Sequence, residues 1–469
     1  MLVVAVTTSS AFSTQAPRIV DDDHEILSLS LAVNRALCGT PSSLSTGEQI
    51  GRILFSDPDA SRKPIRQVIT ERWGSVEGYC GSVTSPVINN ENSLMLLEAW
   101  AWRVVPSLSV VGVGRVLLAV RAAMLLFFCV VCLRLGASVL LCFVMVDAAF
   151  SVLGRLQPDF GYSAYSFLLC SAAVTVALYP LMLSLPAPSP ARRIVWPAVI
   201  GVWSAFVVNM RTSYLPLCAG LALLYVAAVA LGPSHVGRQG VRQLQRMAVA
   251  IALVAGGYAL FEYAFIPRGE GGETLARHTV FHPLVLSVGL PTNAFSESQG
   301  IEWDDAVGLT LAHRVDPSAR YLSREYDRAL ATYYVDLWKR YPREMFGVYL
   351  HKAALAGTEM VAGTDVPQWS VRLGRAILSV LRNGVLLLSL PLVMSVVGMR
   401  LYLRRGAPGL LLVTTLGAAA AMLMLESMLI VPRYFLKYHS ALLWMYCAVA
   451  FVLVQAAVNL WRRPGPATS

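Results

Sequence analysis

Apolar residues are spread unevenly along this chain. They gather in runs at roughly 116–133, 135–153, 164–185, 194–208, 212–231, 246–267, 377–399, 408–430 and 438–460. A helix of about 20 apolar residues spans the hydrocarbon of a bilayer. The pattern therefore predicts an all-α polytopic membrane protein with about 9–10 transmembrane helices. The 194–208 run is short, which fits a tilted helix or one joined to its neighbour at Asn209–Arg211. Residues 1–20 begin MLVVAVTTSS, too short to span and without the basic start of a signal peptide. They read as the tail of a truncated first transmembrane helix.

Between the runs the pattern changes. SLMLLEAWAWRVV (93–105), YDRALATYYVDLWKRY (326–341) and EMFGVYLHKAAL (344–355) repeat apolar positions at helical spacing. They predict amphipathic helices, with Trp100 and Trp102 suited to an interfacial belt. The chain divides into a first polar region (21–115), a bundle (116–267), a large second polar region (268–376), a C-terminal bundle (377–461) and a tail (462–469).

Composition agrees. The 469 residues are 56% hydrophobic and 14% charged, more apolar surface than a soluble domain hides. A net charge of +10 would suggest nucleic acid in a soluble protein. In a membrane protein the place of each charge matters more than the sum, and no nucleic-acid partner is expected. The turns at Arg134, Arg192–Arg193, Arg238–Arg246 and Arg400–Arg405, and the tail at Arg462–Arg463, are basic and free of acid. The positive-inside rule makes them cytoplasmic. Alternation then puts 21–115, 154–163, 209–211, 268–376 and 431–437 outside, with nearly all 28 acids. Asp147, Glu262 and Glu426, the acids within apolar runs, lie toward the outer ends.

Of eight cysteines, none forms a zinc pattern. Cys129 and Cys132 lie in an apolar run and read as packing. Cys38 and Cys80 can pair if their region is oxidising, and the sequence leaves that open. Walker, Rossmann and GxSxG patterns are absent, so nucleotide and common hydrolase readings gain nothing.

The polar outer segments hold the candidate chemistry. VDDDHEILSLSLAVNRALCG (20–39) sets Asp22, Asp23 and Glu25 at a helix start. Capping explains one acid; the crowding suggests a base or a cation as well. Glu91, before the 93–105 helix, is a second candidate carboxylate or a cap. Asp159, in RLQPDFGYSAY, is either a metal-binding acid or part of a Pro-Asp turn. Arg211, Arg433 and Lys437, with His439, break the basic-inside pattern at one membrane level. They suit phosphate recognition, or else pair with Asp147, Glu262 or Glu426, or snorkel to headgroups. HPLVLSVGLPTNAFSESQGIEWDD (282–305) places His282, Asn293, Asp304 and Asp305 in a loop punctuated by glycine and proline. Such a loop can cover a ligand, or its acids are simply solvated.

The order of parts resembles the GT-C superfamily of membrane glycosyltransferases. VDDDHEILSLSLAV is similar to the Asp/Glu motif that opens their first outer loop, although His24 separates Asp23 from Glu25. HPLVLSVGLPTNAFSESQGIEWDDAV, followed by YLSREYDRAL and YLHKA, resembles a block in uncharacterised bacterial members. The resemblance implies transfer of a sugar from a polyprenyl-phosphate carrier to a glycan, lipid or protein acceptor on the non-cytoplasmic face. By the same resemblance, one of Asp22, Asp23 or Glu25 would act as base or hold the acceptor, and Arg211 and Arg433 would hold the donor phosphate; Glu91 and Lys437 join these catalytic and phosphate-binding sets by their own positions in the sequence. His282, Asn293, Asp304 and Asp305 would form a lid or acceptor wall. Asp159 would take a divalent metal, Mg or Mn. The expected location is the bacterial inner membrane, with the large regions outside the cytoplasm. A lipid-linked glycan transporter or flippase remains an alternative, although the charges gather at outer ends and no two-fold repeat is visible. An outer-face glycan polymerase or ligase, or a non-catalytic assembly protein, also stays open. Neutralising the acids of 22–25 separates these readings.

Overall fold

The computed structural model describes residues 23–39, 50–54, 57–82, 92–160, 164–184, 190–231, 240–266, 280–321, 323–362, 376, 384–432 and 436–461. At 23–28, 82, 92, 150–160, 164–166, 190–193, 213, 227–231, 240–243, 359–362, 436–438 and 455–461 it describes the backbone alone. Among these residues the regular structure is helical throughout, as expected of an all-α polytopic membrane protein.

Each apolar run forms a helix: α6 (Val110–Arg134), α7 (Val139–Phe160), α8 (Ala164–Ser184), α9 (Pro190–Met210), α10 (Leu215–Leu231), α11 (Gly240–Phe265), α17 (Gly384–Arg405), α18 (Pro408–Leu429) and α19 (Leu436–Trp461). Five of them, α6, α8, α11, α17 and α18, are long and apolar enough over their described residues to cross a membrane. The run ending near 208 extends to Met210 within α9, whose first turn begins at Pro190, where a missing N–H costs nothing; its described apolar stretch, Ile194–Met210, is shorter than the five spans. Of the run at 377–399, the part at 377–383 lies outside the described residues, and its helix continues to Arg405.

Burial separates the centre from the rim. The spanning stretch of α8 is 83% buried, that of α11 only 17%. α8 packs against α6, α18 and α19, through small residues such as Ala172, Ala173 and Ala177. Small side chains let backbones approach where lipid offers no hydrophobic drive. α9 and α11 meet through Gly201 and Gly257: a Cβ on Gly201 would sit 2.0 Å from the Val254 carbonyl oxygen, and one on Gly257 2.2 Å from that of Ala198. Polar side chains staple the helices. Trp444 Nε1 donates to the Met145 carbonyl oxygen at 2.8 Å, and Trp203 Nε1 to Thr175 Oγ1 at 2.9 Å.

The two polar regions are built differently. The first contains α1 (Asp23–Leu37), α2 (Pro58–Arg62), α3 (Ile65–Trp73), α4 (Val76–Ser82) and α5 (Asn92–Val104). Leu29, Leu94 and Trp102 join the core of the bundle itself. α1 lies along α5, and Ser93 Oγ donates to the Phe206 carbonyl oxygen at 2.7 Å, fixing α5 to the end of α9. Cys38 and Cys80 form a disulfide between the end of α1 and α4.

The second region contains α12 (Phe281–Leu286), a 3₁₀ turn (Ser287–Gly289), α13 (Ala294–Gln299), α14 (Asp305–His313), α15 (Arg324–Arg340) and α16 (Pro342–Ala362). It has its own core, with Val285, Leu311, Tyr326, Leu330 and Met345. The segment 282–305, which reads as a loop, is mostly short helices. Asn293 and Asp304 each cap a helix, so local capping overrides the glycine and proline signals.

Candidate functional site

One end of the bundle collects charged and polar side chains. α18 ends at Leu429, and the last carbonyls of a helix lack intrahelical donors. The Leu429 carbonyl oxygen accepts from Lys352 Nζ at 2.6 Å and from Ser287 Oγ at 3.1 Å. Lys352 Nζ also donates to the Ser287 carbonyl oxygen at 2.9 Å. A cation at a helix C-terminus is favoured by the helix dipole. Burial lowers the Lys352 ammonium from 10.5 to about 7, and the nearby Glu426 carboxylate opposes that shift. A neutral amine still has two N–H donors, one for each carbonyl.

Glu426, one turn before the end of α18, is buried and lies within electrostatic reach of both Arg211 and Lys352. Arg211 follows α9 directly, its amide donating to the Val207 carbonyl oxygen at 3.1 Å. Two residues earlier, Asn209 Nδ2 bridges the Ala205 carbonyl oxygen and Glu262 Oε1, each at 2.8 Å. His439 Nε2 lies 3.0 Å from Ser427 Oγ and 3.1 Å from the Val431 carbonyl oxygen, so α19 enters the same cluster.

A second cluster begins one and a half helical turns before Ser287. His282 Nε2 lies 3.1 Å from Asp305 Oδ1, and its Nδ1 lies 2.6 Å from the Tyr326 hydroxyl. The neutral tautomer with Nε2–H satisfies every partner: the carboxylate accepts, and the phenol donates to Nδ1. Burial, then the Asp305 and Asp327 charges, raises the Tyr326 pKa well above its ordinary value. Tyr326 therefore stays a donor at all working pH. Gly308 makes room for the pair, since a Cβ there would meet the Tyr326 hydroxyl oxygen at 2.5 Å.

Of the residues expected from sequence, Arg211 joins Glu426 and Lys352, and His282 joins Asp305. Asn293 and Asp304 are occupied as caps: Asn293 Oδ1 accepts from the Ser296 amide at 2.9 Å, and Asp304 Oδ1 from the Ala306 amide at 2.7 Å. Asp23 opens α1, Asp159 is the penultimate residue of α7 and Lys437 the second of α19, each described by backbone alone. Glu25 lies in the first turn of α1 in the same way. Asp22, Glu91 and Arg433 lie outside the described residues. No group of three metal-binding side chains occurs among the described residues.

Sequence reasoning passed over Lys352 and Tyr326. Lys352 was legible: Met345, Val348, Lys352 and Ala356 recur at helical spacing on a buried face. A lysine on such a stripe needs a special partner.

No protein-family model matches the chain, and no curated protein matches it. Among solved structures, the chain is similar to the archaeal oligosaccharyltransferase AglB from Archaeoglobus fulgidus, in complex with an inhibitory peptide and a dolichol-phosphate. Identity is 14% and the TM-score 0.42, over 98% of this chain and 50% of that one. It is also similar to ArnT from Cupriavidus metallidurans bound to undecaprenyl phosphate, at 13% identity and a TM-score of 0.32, over 99% of this chain and 80% of that one. The chain thus spans half the length of the AglB chain. Overlaps this slight leave function to be argued from the chain's own residues.

Proposed function

We propose that this protein is an integral-membrane glycosyltransferase that moves a sugar from a polyprenyl-phosphate carrier to an acceptor on the non-cytoplasmic face. The supporting observation is the cluster of Arg211, Lys352 and Glu426 at one end of the bundle, where the 281–362 unit docks. Charged groups are costly near a bilayer unless they have work there. The Cys38–Cys80 disulfide supports an oxidising, non-cytoplasmic side for the first polar region.

In the proposed reaction a carboxylate from Asp22, Asp23, Glu25 or Glu91 takes the acceptor hydroxyl proton. The acceptor oxygen bonds to the anomeric carbon as the bond from that carbon to the phosphate oxygen breaks. Polyprenyl phosphate leaves with the electron pair. Arg211, with Arg433 and Lys437, holds the phosphate oxygens as their charge grows. Glu426 orients Arg211. His282 and Asp305, on the unit with Asn293 and Asp304, form the wall on the acceptor side. Carboxylate oxygen at Asp159 suits Mg or Mn, which would add positive charge near the leaving group when bound.

The test is incubation of purified protein with a labelled polyprenyl-phosphate sugar and candidate acceptors. Label in an acceptor, with release of polyprenyl phosphate, supports the reading. Vectorial movement of intact donor across proteoliposomes without transfer would favour a flippase.

A further inference from the structure

A cleft of about 280 Å³, whose lining does not include Arg211, Lys352 or Glu426, opens between α1, α5 and the ends of α9 and α11. Its apolar wall is Trp100, Phe206, Phe261 and Phe265, and two guanidinium groups, Arg35 and Arg103, reach it. Arg103 Nη2 donates to the Arg35 carbonyl oxygen at 2.9 Å, which brings the two cations together at the end of α1. Arg35 Nη1 is buried and has no hydrogen-bond partner. Among the described residues no carboxylate pairs with either arginine. Two like charges beside an orphaned buried donor cost stability until an anion arrives.

The wall says what carries the anion. Trp100 is 56% exposed and Phe265 48%, and Tyr263 beside it is 69% exposed. The span in α11 is the least buried of the five among the described residues, so in a bilayer this apolar surface would face lipid chains. Aromatic rings near a helix end belong at the interfacial level. A free phosphate would use the arginines and leave the aromatic wall bare; a lipid uses both.

We propose that this cleft binds a phosphate-headed membrane lipid, its phosphate between Arg35 and Arg103 and a hydrocarbon chain along Trp100, Phe206, Phe261 and Phe265. Forked guanidinium donors suit phosphate oxygens, and Arg35 Nη1 gains its missing acceptor. Burial, then the Arg103 charge, lowers the Arg35 pKa. The proposal does not depend on sugar transfer and is tested without it.

The full chain in maltoside micelles is labelled with a diazirine-bearing alkyl phosphate, and the label is mapped by peptide mass spectrometry. Label is expected in 92–104 and in 258–265, and dodecyl phosphate should displace it. Inorganic phosphate and dodecanol at the same concentration should not. In R35Q/R103Q the label at these peptides should fall by about tenfold or more, the scale of lost charge-assisted hydrogen bonds. R35K/R103K should retain part of it. Undiminished label in R35Q/R103Q overturns the proposal, as does equal displacement by inorganic phosphate or by dodecanol. If R35Q/R103Q does not fold, Trp100→Ala, at an exposed site, carries the test: reduced label supports the lipid, unchanged label overturns it.

Discussion

Lys352 Nζ lies 2.6 Å from the carbonyl oxygen of Leu429, so a lysine on α16 closes the open end of α18. This contact, with Ser287, joins the second polar region to the bundle. It also predicts a pH dependence. Above about pH 10.5 the lysine is neutral whether the chain is folded or not. Between there and about 7 the unfolded chain binds a proton that the folded chain does not. Stability therefore falls as pH is lowered through that window and levels off below it. Thermal unfolding followed by circular dichroism should show this slope in the wild type and a flatter one in Lys352→Met. An equal slope in both would show that Lys352 is not the group responsible.

Tyr326 and His282 form a buried pair that ties α12 to α15. Tyr326→Phe removes the donor and leaves Nδ1 without a partner, at a cost of about 1–3 kcal/mol. Gly308→Ala should also destabilise the unit, because the added methyl collides with the same hydroxyl. Protease susceptibility of the 281–362 region measures both. Wild-type resistance in each variant would contradict the pairing.

The Cys38–Cys80 bridge closes a loop of 42 residues. On the chain-entropy model, a loop of this size contributes about 4 kcal/mol. The C38S/C80S variant should unfold at a lower temperature by that equivalent. Maleimide should label neither cysteine in the unreduced, denatured wild type, while the remaining cysteines react. Labelling of Cys38 or Cys80 without reductant would contradict the bridge.

Asn293 caps α13 in a reciprocal capping box with Ser296. Asn293→Ala should cost about 1 kcal/mol, with sugar transfer, once measurable, falling only as far as folded protein is lost. A large loss of transfer with full stability would instead put Asn293 in the acceptor wall.

The membrane helices were legible because a 3.6-residue period and a bilayer's thickness are both local constraints. α15 and α16 were legible for the same reason: Tyr326, Leu330 and Leu337 mark one face. The 282–305 segment misled, since Gly289, Pro291 and Gly300 signal a loop while Asn293 and Asp304 each start a short helix within it. Arg211 was found because it interrupts apolar sequence. Arg35 and Arg103 were not, because each sits in the last turn of an amphipathic helix, where a basic residue is ordinary. Only the packing of α1 on α5 brings them to one cleft.

Sugar transfer itself gives the most direct test. Wild-type protein and a variant carrying D22N, D23N and E25Q should be compared for movement of label from a polyprenyl-phosphate sugar to an acceptor. The account predicts transfer by the wild type and loss of at least about a hundredfold in the variant, the usual worth of a general base, with unfolding temperature preserved. Equal transfer by the folded variant would contradict it.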